Sequence, residues 1–306
     1  MKCNILIVGA SGFLGNYAIN FLLGKGYNSN SIIALVRDES KVQHFKNRGV
    51  TIRKADYNDP NSLTSSFIDI KKILFISSND LHYRKTHHLN IVNAAKKSNV
   101  KFIAYTSFIR KHNSFEIPSH IDFIKETHIG TEKLLKESGI PHTILVNGLY
   151  CEGITNFFFN PLETVINTGV LSFPAGNGLI NYTTREDLAE AAVNVVLNSD
   201  DYIGKTLYLN SKETHTLHDV ADILCEITGK KIQYISPTAE SYKQDLMNLG
   251  KEDGFISFSL AFALAMGDNE FYSCKSDLLT VLKRNPTSLK EFLSLYIKQN
   301  YEKQIN

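Results

Sequence analysis

The first 15 residues constrain the fold more strongly than any other part of the chain. An apolar segment, residues 3–8, runs directly into a glycine-rich loop, and apolar residues then recur at helical spacing. Glycines let backbone amides approach a pyrophosphate, and the following helix adds N–H groups at its positive end. The sequence therefore predicts a strand, a nucleotide-binding loop and a helix. The loop consists of Gly9, Ala10, Ser11, Gly12, Phe13, Leu14 and Gly15.

The alternative interpretation is a plain glycine-rich turn, because the first two glycines are spaced GxxG instead of the common GxG. The next segments favour the nucleotide site. Short apolar strand candidates alternate with helical patterns up to residue 150, which predicts an α/β fold with a doubly wound parallel (Rossmann) sheet. The predicted strands are 31–36, 50–53, 72–76, 101–106 and 142–146, and the predicted helices are 41–48, 63–67, 86–98 and 123–138.

Beyond residue 150 the alternation loosens and helical patterns dominate. We predict an NAD(P)-binding domain over residues 1–150, which residues 182–210 rejoin. Residues 151–306 then form a smaller, discontinuous, mostly helical C-terminal lobe that covers the substrate. Its helix candidates are 154–167, 187–198, 218–228 and 239–249, and its strand candidates are 205–209 and 231–235.

Composition excludes several classes of partner. The net charge of +2 is spread along the chain, which gives no electrostatic footprint for nucleic acid. The four cysteines show no metal-ligand spacing, so free thiols in a reducing, cytoplasmic compartment are expected. The apolar segment 255–266 is too short to insert in a membrane. The oligomeric state is not fixed by the sequence, and a homodimer is compatible with it.

Arg37 directly follows the second predicted strand, 22 residues after Gly15. In a dinucleotide-binding sheet this position meets the adenosine ribose. An arginine there forms charge-assisted hydrogen bonds with the 2′-phosphate of NADP, whereas an acidic residue binds the 2′-hydroxyl of NAD. Asp38 is next in sequence, so a surface pair of Arg37 and Asp38 is the alternative. The pattern favours NADPH and leaves NADH as the second choice.

Polar residues also follow the later strands, where turn chemistry is the alternative explanation for most of them. Lys133, on the helix after the fifth strand, is expected to reach the nicotinamide ribose, unless it is a solvated lysine. Asn147 and Tyr150, after the sixth strand, are expected to line the nicotinamide or substrate pocket, with ordinary packing as the alternative for Tyr150. The further cofactor candidates are Asp56, Tyr57, Ser77, Ser78, Asn79, Thr106 and Ser107.

The histidines lack a third ligand at metal-binding spacing, so no metal site is predicted. We expect them on helix surfaces or at helix ends. They are His87, His88, His128, His215 and His218.

Together these motifs resemble the NmrA-like family of atypical short-chain dehydrogenases/reductases, and within it the bacterial NAD(P)H:quinone oxidoreductases of type 2. The resemblance covers nearly the whole chain and is loose only over the last hundred residues. It implies that the glycine loop, Arg37, residues 77–79 and Lys133 contact NADPH and that the C-terminal lobe shapes a quinone pocket. The matching segments are 9–15, 34–38, 54–59, 93–107, 128–140, 147–150, 174–178 and 183–192.

One departure from the larger superfamily bears on mechanism. Ordinary short-chain dehydrogenases carry Tyr-x-x-x-Lys, in which the tyrosine donates a proton. Ile129 stands four residues before Lys133, so we interpret the tyrosine as missing. A quinone accepts hydride without such an acid, which favours direct reduction of a quinone by NADPH without flavin or metal. The alternatives are a non-catalytic NAD(P) redox sensor that regulates a protein partner and an isoflavone-reductase-like enzyme with Lys133 as base.

Overall fold

The protein is described by a computed structural model that covers residues 4–156 and 161–305. Its centre is a seven-stranded sheet in the order β10-β6-β5-β4-β1-β2-β3, and every strand pair in it is parallel. This confirms the predicted doubly wound α/β fold. The strands are β1 (Asn4–Val8), β2 (Ile32–Val36), β3 (Thr51–Lys54), β4 (Ile70–Phe75), β5 (Phe102–Phe108), β6 (His142–Asn147), β7 (Leu149–Tyr150), β8 (Val170–Ser172), β9 (Tyr182–Thr183), β10 (Thr206–Leu209) and β11 (Gln233–Ile235).

The central strands are apolar along their whole length because helices cover both faces of the sheet. Every residue of β2 is buried, and Ile5 of β1 lies opposite Ile32 in a register that continues to Val8 and Leu35. The helices are α1 (Phe13–Gly24), α2 (Gln43–Lys46), α3 (Pro60–Ser66), α4 (Arg84–Lys97), α5 (Asp122–Ser138), α6 (Glu152–Asn156), α7 (Leu162–Thr168), α8 (Arg185–Leu197), α9 (Leu217–Thr228), α10 (Ala239–Asn248), α11 (Asp253–Gly267), α12 (Leu278–Leu282) and α13 (Leu289–Ile305).

Two helical layers enclose the sheet. Helices α1 and α8 pack together on one face, and α12 packs against α8. On the other face α4 packs between α3 and α5. Strand β10 forms the edge of the sheet beside β6, so the chain returns to the sheet after β9. The division into two domains stays a prediction.

The C-terminal region is mostly helical, with two small parallel pairs, β7 with β9 and β8 with β11. Two predicted helices correspond to different elements in the structure. The pattern over residues 41–48 yields only the short α2 after a 3₁₀ turn at Glu39–Val42. The pattern over 154–167 corresponds to α6 and α7, and residues 157–160 between them lie outside the described part.

Two further features concern the described residues alone. None of their helices is both long and apolar enough to cross a bilayer. Cys151, Cys225 and Cys274 are free thiols, and Cys3 lies outside the described part.

Candidate dinucleotide and acceptor site

The carboxyl ends of the parallel strands meet at one edge of the sheet, where ligands bind in folds of this type. The loops and strand ends at this edge carry nearly all of the predicted site residues. Those residues are 9–15 after β1, Arg37 after β2, Asp56 and Tyr57 after β3, 77–79 after β4, Thr106 and Ser107 at the end of β5, and Asn147 and Tyr150 at and after the end of β6.

The three loop glycines have three different geometries. Gly9 has a φ of +82°, which favours glycine, and its carbonyl accepts a 3.1 Å hydrogen bond from the Gly12 amide. A Cβ on Gly15 would lie 2.3 Å from the Gly9 oxygen and 2.7 Å from the Ala10 Cα. A Cβ on Gly12 would meet nothing closer than the Gly9 oxygen at 3.4 Å. Gly9 therefore shapes the turn, Gly15 permits α1 to pack on the loop, and Gly12 leaves its outer side open.

The other loop residues can contact a ligand either through their main chain or through exposed side chains. Ala10 and Leu14 are buried in the core, so only their main chain is available to a ligand. Ser11 is exposed, and the Phe13 ring is 73% exposed. Asn16, which the sequence analysis missed, donates from Nδ2 to the carbonyl oxygens of Ala10 and Gly12 at 2.9 and 3.0 Å. These bonds fix the shape of the loop, as a preorganised phosphate site requires.

At the β2 and β3 end, Tyr57 Oη accepts a 3.0 Å hydrogen bond from the Gly9 amide, and burial raises the Tyr57 pKa to about 12. Arg37 is exposed. Asp38 does not pair with Arg37. It binds Ser40, whose amide and hydroxyl donate to Asp38 Oδ1 at 3.0 and 2.7 Å. Asp38 thus caps the following turn, and among the described ion pairs none joins it to Arg37.

Lys41 is a second cation near the loop that the sequence did not indicate. It lines a depression of about 310 Å³ together with Ser11, Gly12 and Phe13. Lys41 and Arg37 are both positive and both come from the chain that follows β2. This end of the site is therefore suited to a phosphate.

Several predicted polar residues already have structural partners. The Ser77 amide donates to Thr106 Oγ1 at 2.9 Å, and the Ser78 amide donates to His88 Nε2 at 3.2 Å. Asp56 Oδ1 accepts from the Asn58 amide at 2.9 Å, so it stabilises a turn. Asn79 is exposed.

Ser107 lies within a largely buried ion pair. Its hydroxyl donates to Glu132 and accepts a 3.1 Å hydrogen bond from Arg110, and Arg110 Nη2 lies 2.8 Å from Glu132 Oε2. Contacts of Ser77, Ser78 and Ser107 with the cofactor stay predictions, and the hydroxyl of Ser107 already has two partners.

The structure does not support the predicted ribose contact of Lys133. Helix α5 connects the carboxyl end of β5 to the start of β6, so it runs away from the ligand edge. Lys133 is 11 residues after Asp122, which places it about 16 Å along the helix. Its side chain is 70% exposed and lies 3.8 Å from Glu137 Oε1. A solvated lysine, the alternative interpretation, fits this placement.

The prediction that the histidines lie on helix surfaces is wrong for His87, His88 and His128, which are all buried. His88 Nδ1 lies 2.8 Å from Thr131 Oγ1, which itself donates to the Thr127 carbonyl, so His88 donates from Nδ1 and accepts at Nε2. Burial, with the nearby Arg84 charge, lowers the His88 pKa to about 3. His88 is therefore neutral and structural at physiological pH.

His128, on the inner face of α5, lies with Nδ1 2.8 Å from the Tyr105 hydroxyl. Burial first, and then the charge of Arg84, holds the His128 pKa well below its usual value. Tyr105 is fully buried, so its hydroxyl faces the protein interior. This helix contains no tyrosine along Asp122–Ser138. The spacing Tyr-x-x-x-Lys does occur at Tyr208 and Lys212, but Tyr208 belongs to strand β10 and the pair does not share a helix.

Two arginines that the sequence analysis missed stand close to Tyr150. The Arg185 guanidinium lies 4.6 Å from the centre of the Tyr150 ring and 5.5 Å from that of Phe13, so it bridges the β6 end and the glycine loop. Arg84, the first residue of α4, is only 6% exposed. Burial raises the Tyr150 pKa, whereas Asn147, Arg185 and Arg84 act in the opposite direction. Tyr150 therefore stands among polar groups, with Arg185 over its ring.

A parallel doubly wound sheet with this glycine loop and these strand-end side chains defines a dinucleotide-binding protein. The chain belongs to the NmrA-like family, whose model matches residues 1–293.

Two relatives align over nearly the whole chain. Quinone oxidoreductase 2 of Escherichia coli K12 is 33% identical over 95% of this chain and 97% of its own length. Its crystal structure as an NADPH complex superposes with a TM-score of 0.87 and covers 96% of this chain and 99% of that one. The NADP(H) complex of the Citrobacter sp. triphenylmethane reductase is 34% identical, with a TM-score of 0.86 over 95% of this chain and 99% of that one.

Proposed function

We propose that the protein is an NADPH-dependent reductase that passes a hydride directly to a quinone, without flavin or metal. The family, the glycine loop and the two NADP(H)-bound relatives support an NAD(P)H-dependent reductase. The identity of 33% to a quinone oxidoreductase over 95% of the chain supports a quinone as acceptor.

One observation carries the choice of acceptor. No tyrosine lies on α5, and the Tyr105 hydroxyl beside that helix is buried against His128. Reduction of a carbonyl group to an alcohol requires a positioned acid, whereas a reduced quinone takes its proton from solvent. The site is therefore suited to an acceptor that needs orientation and electrostatic stabilisation.

Different parts of the site have different roles in this proposal. The amides of the glycine loop and of the start of α1 bind the pyrophosphate, and Arg37 with Lys41 binds the 2′-phosphate. When bound, the reduced nicotinamide supplies the hydride. Asn147 and Tyr150 line the acceptor pocket next to it, and Arg185 closes the side between Tyr150 and Phe13.

Turnover tests this proposal. We expect the purified protein to oxidise NADPH with benzoquinone or naphthoquinone and to leave NADP⁺ with secondary alcohols unchanged, because α5 carries no tyrosine to accept the proton that an alcohol loses on oxidation. Stopped-flow or steady-state absorbance of NADPH measures both. Equal rates with alcohols would contradict the mechanism, and tight NADPH binding without any turnover would support the non-catalytic sensor.

Reduction of triphenylmethane dyes is the second candidate function, because a triphenylmethane reductase is 34% identical over 95% of the chain. Such dyes are cations, and a hydride neutralises them without any proton. The same assay with a cationic dye as acceptor distinguishes the two candidates.

Arg37→Ala tests the cofactor assignment. A charge-assisted hydrogen bond contributes about 1.5–3 kcal/mol, so NADPH affinity is expected to fall about ten- to a hundredfold. NADH lacks the 2′-phosphate, and its affinity should stay near the wild-type value. Calorimetry with both nucleotides measures the ratio. Since Asp38 is occupied by Ser40, equal losses for NADPH and NADH would mean that Arg37 supports the loop structurally.

A further inference from the structure

Arg84 is a buried cation that forms no ion pair with another described residue. Its Nε and Nη1 atoms have no hydrogen-bond partner among the described residues, and none of the ion pairs found there involves it. It also stands at the first position of α4, where the helix dipole disfavours a positive charge. A guanidinium that is both desolvated and unpaired costs stability, so folding alone does not explain its presence.

The position of Arg84 in the fold places it at the ligand edge, because α4 begins after the chain leaves the carboxyl end of β4. Its charge acts on the Tyr150 hydroxyl, on Asp80 in the loop before α4, and on the interior groups Tyr105, His88 and His128. The pyrophosphate position is on the glycine loop after β1, and the 2′-phosphate position is after β2. Arg84 follows β4, which lies on the other side of β1 from β2, so it stands at the part of the edge where the substrate would lie.

Asn147 is a second buried polar side chain with unused hydrogen-bonding atoms. Its side chain is 1% exposed and makes no hydrogen bond of good geometry with another described residue, and the only side chain it approaches closely enough to lower a pKa is the Tyr150 phenol. The Asn147 amide lies beside Tyr150, as Arg84 does from the other direction. Two buried donors with spare hydrogen-bonding capacity thus lie at the same edge of the sheet, and both act on Tyr150.

We propose that Arg84, assisted by Asn147, is the oxyanion-binding residue of the acceptor site and selects acceptors that become anions on reduction. This inference rests on the proposed function. When a quinone accepts a hydride, it gains two electrons and one proton equivalent, and one oxygen carries a negative charge until solvent protonates it. A preorganised cation in a water-poor pocket stabilises that charge as it develops. A cationic dye gains no negative charge, and Arg84 repels it.

The first test is a change of acceptor preference. Arg84→Met keeps the length and removes the charge, and its kcat with a quinone is expected to fall about a hundredfold, the effect of losing one oxyanion donor. Turnover of a cationic triphenylmethane dye should stay level or rise. The matched control is Lys85→Met, which removes the same charge from the next residue of α4, where the side chain is 72% exposed. Arg84→Lys, which retains the charge, should recover part of the quinone activity.

The second test measures binding without turnover. 2-Hydroxy-1,4-naphthoquinone is an anion at neutral pH, and 1,4-naphthoquinone is its uncharged counterpart. In the NADP⁺ complex, Arg84→Met should weaken binding of the anion about ten- to a hundredfold and leave the neutral quinone unchanged. NADPH affinity should not change. Because the guanidinium is unpaired, the variant should melt at or above the wild-type temperature.

The outcomes separate the two proposals. If the wild type reduces no quinone, the proposed function is wrong, and the paired ligands still report whether Arg84 binds an anion. If the wild type reduces quinones but Arg84→Met binds the paired ligands and selects acceptors as the wild type does, the inference about Arg84 is overturned. A loss confined to NADPH affinity overturns it as well, because Arg84 would then contact a cofactor phosphate.

Discussion

Gly12→Val is expected to reduce NADPH affinity by more than about a hundredfold, because two lost charge-assisted hydrogen bonds to the pyrophosphate amount to about 3–6 kcal/mol. The free protein should tolerate the change. A Cβ at Gly12 meets only the Gly9 oxygen at 3.4 Å, and the backbone there is extended, with φ −82° and ψ 167°. Valine adopts this conformation readily. The added methyl groups therefore fill space that belongs to the ligand. Calorimetry with NADPH and a thermal melt measure both parts.

The matched control is Gly24→Val at the other end of α1. A Cβ at Gly24 meets nothing within 4 Å, so the same chemical change is made on the same helix but away from the ligand edge. We expect both variants to melt at similar temperatures and only Gly24→Val to bind NADPH. Wild-type affinity in Gly12→Val would remove the glycine loop from the cofactor site.

The architecture was predictable because burial on both faces leaves a local signal. Strands such as β2, with five buried residues in a row, read as continuous apolar segments whatever packs against them. The glycine loop was predictable for a related reason, since the turn and the close approach of α1 both require glycine at fixed positions. The short α2 was overpredicted because its pattern depends on two buried residues, Val42 and Phe45, and the first of them lies in the preceding 3₁₀ turn.

The inner face of α5 was not predictable, because its polar residues are satisfied by distant parts of the chain. His128 and Thr131 are buried because Tyr105 and His88 supply their hydrogen bonds, and those partners lie 23 and 43 residues away in sequence. Since these partners cannot be recognised in the sequence, Lys133 was predicted to face the ribose. Lys133 instead lies far down the outer side of the helix.

Arg84 does have a signal in the sequence, although it is weaker than the signals of the strands and the glycine loop. A positive residue at the start of a helix opposes the helix dipole, and acidic or small polar residues are usual there. The first turn of α4 contains no acidic residue. Arg185 is likewise the first residue of α8 and lies over the Tyr150 ring, although the first turn of α8 also contains Glu186 and Asp187. Two helices of the sheet thus begin with an arginine near Tyr150, a pairing that only the fold brings together.

Gly15→Ala is expected to damage the fold itself, in contrast to Gly12→Val. The new Cβ would lie 2.3 Å from the Gly9 oxygen and 2.7 Å from the Ala10 Cα, and backbone atoms cannot move aside as a side chain can. Helix α1 would have to separate from the loop and from β1. Overpacking usually costs about 1–3 kcal/mol, and a clash with main chain on this scale should reach or exceed the upper value.

The control for Gly15→Ala is Gly130→Ala on α5, where a Cβ meets nothing within 4 Å. That variant should gain about 0.5–1 kcal/mol from the helix propensity of alanine, so the same substitution is expected to change stability in opposite directions at the two sites. Urea unfolding at constant m-value measures both free energies. If Gly15→Ala were as stable as the wild type, α1 would not pack on the loop as closely as the structure shows, and the rigid pyrophosphate site inferred from that contact would be wrong.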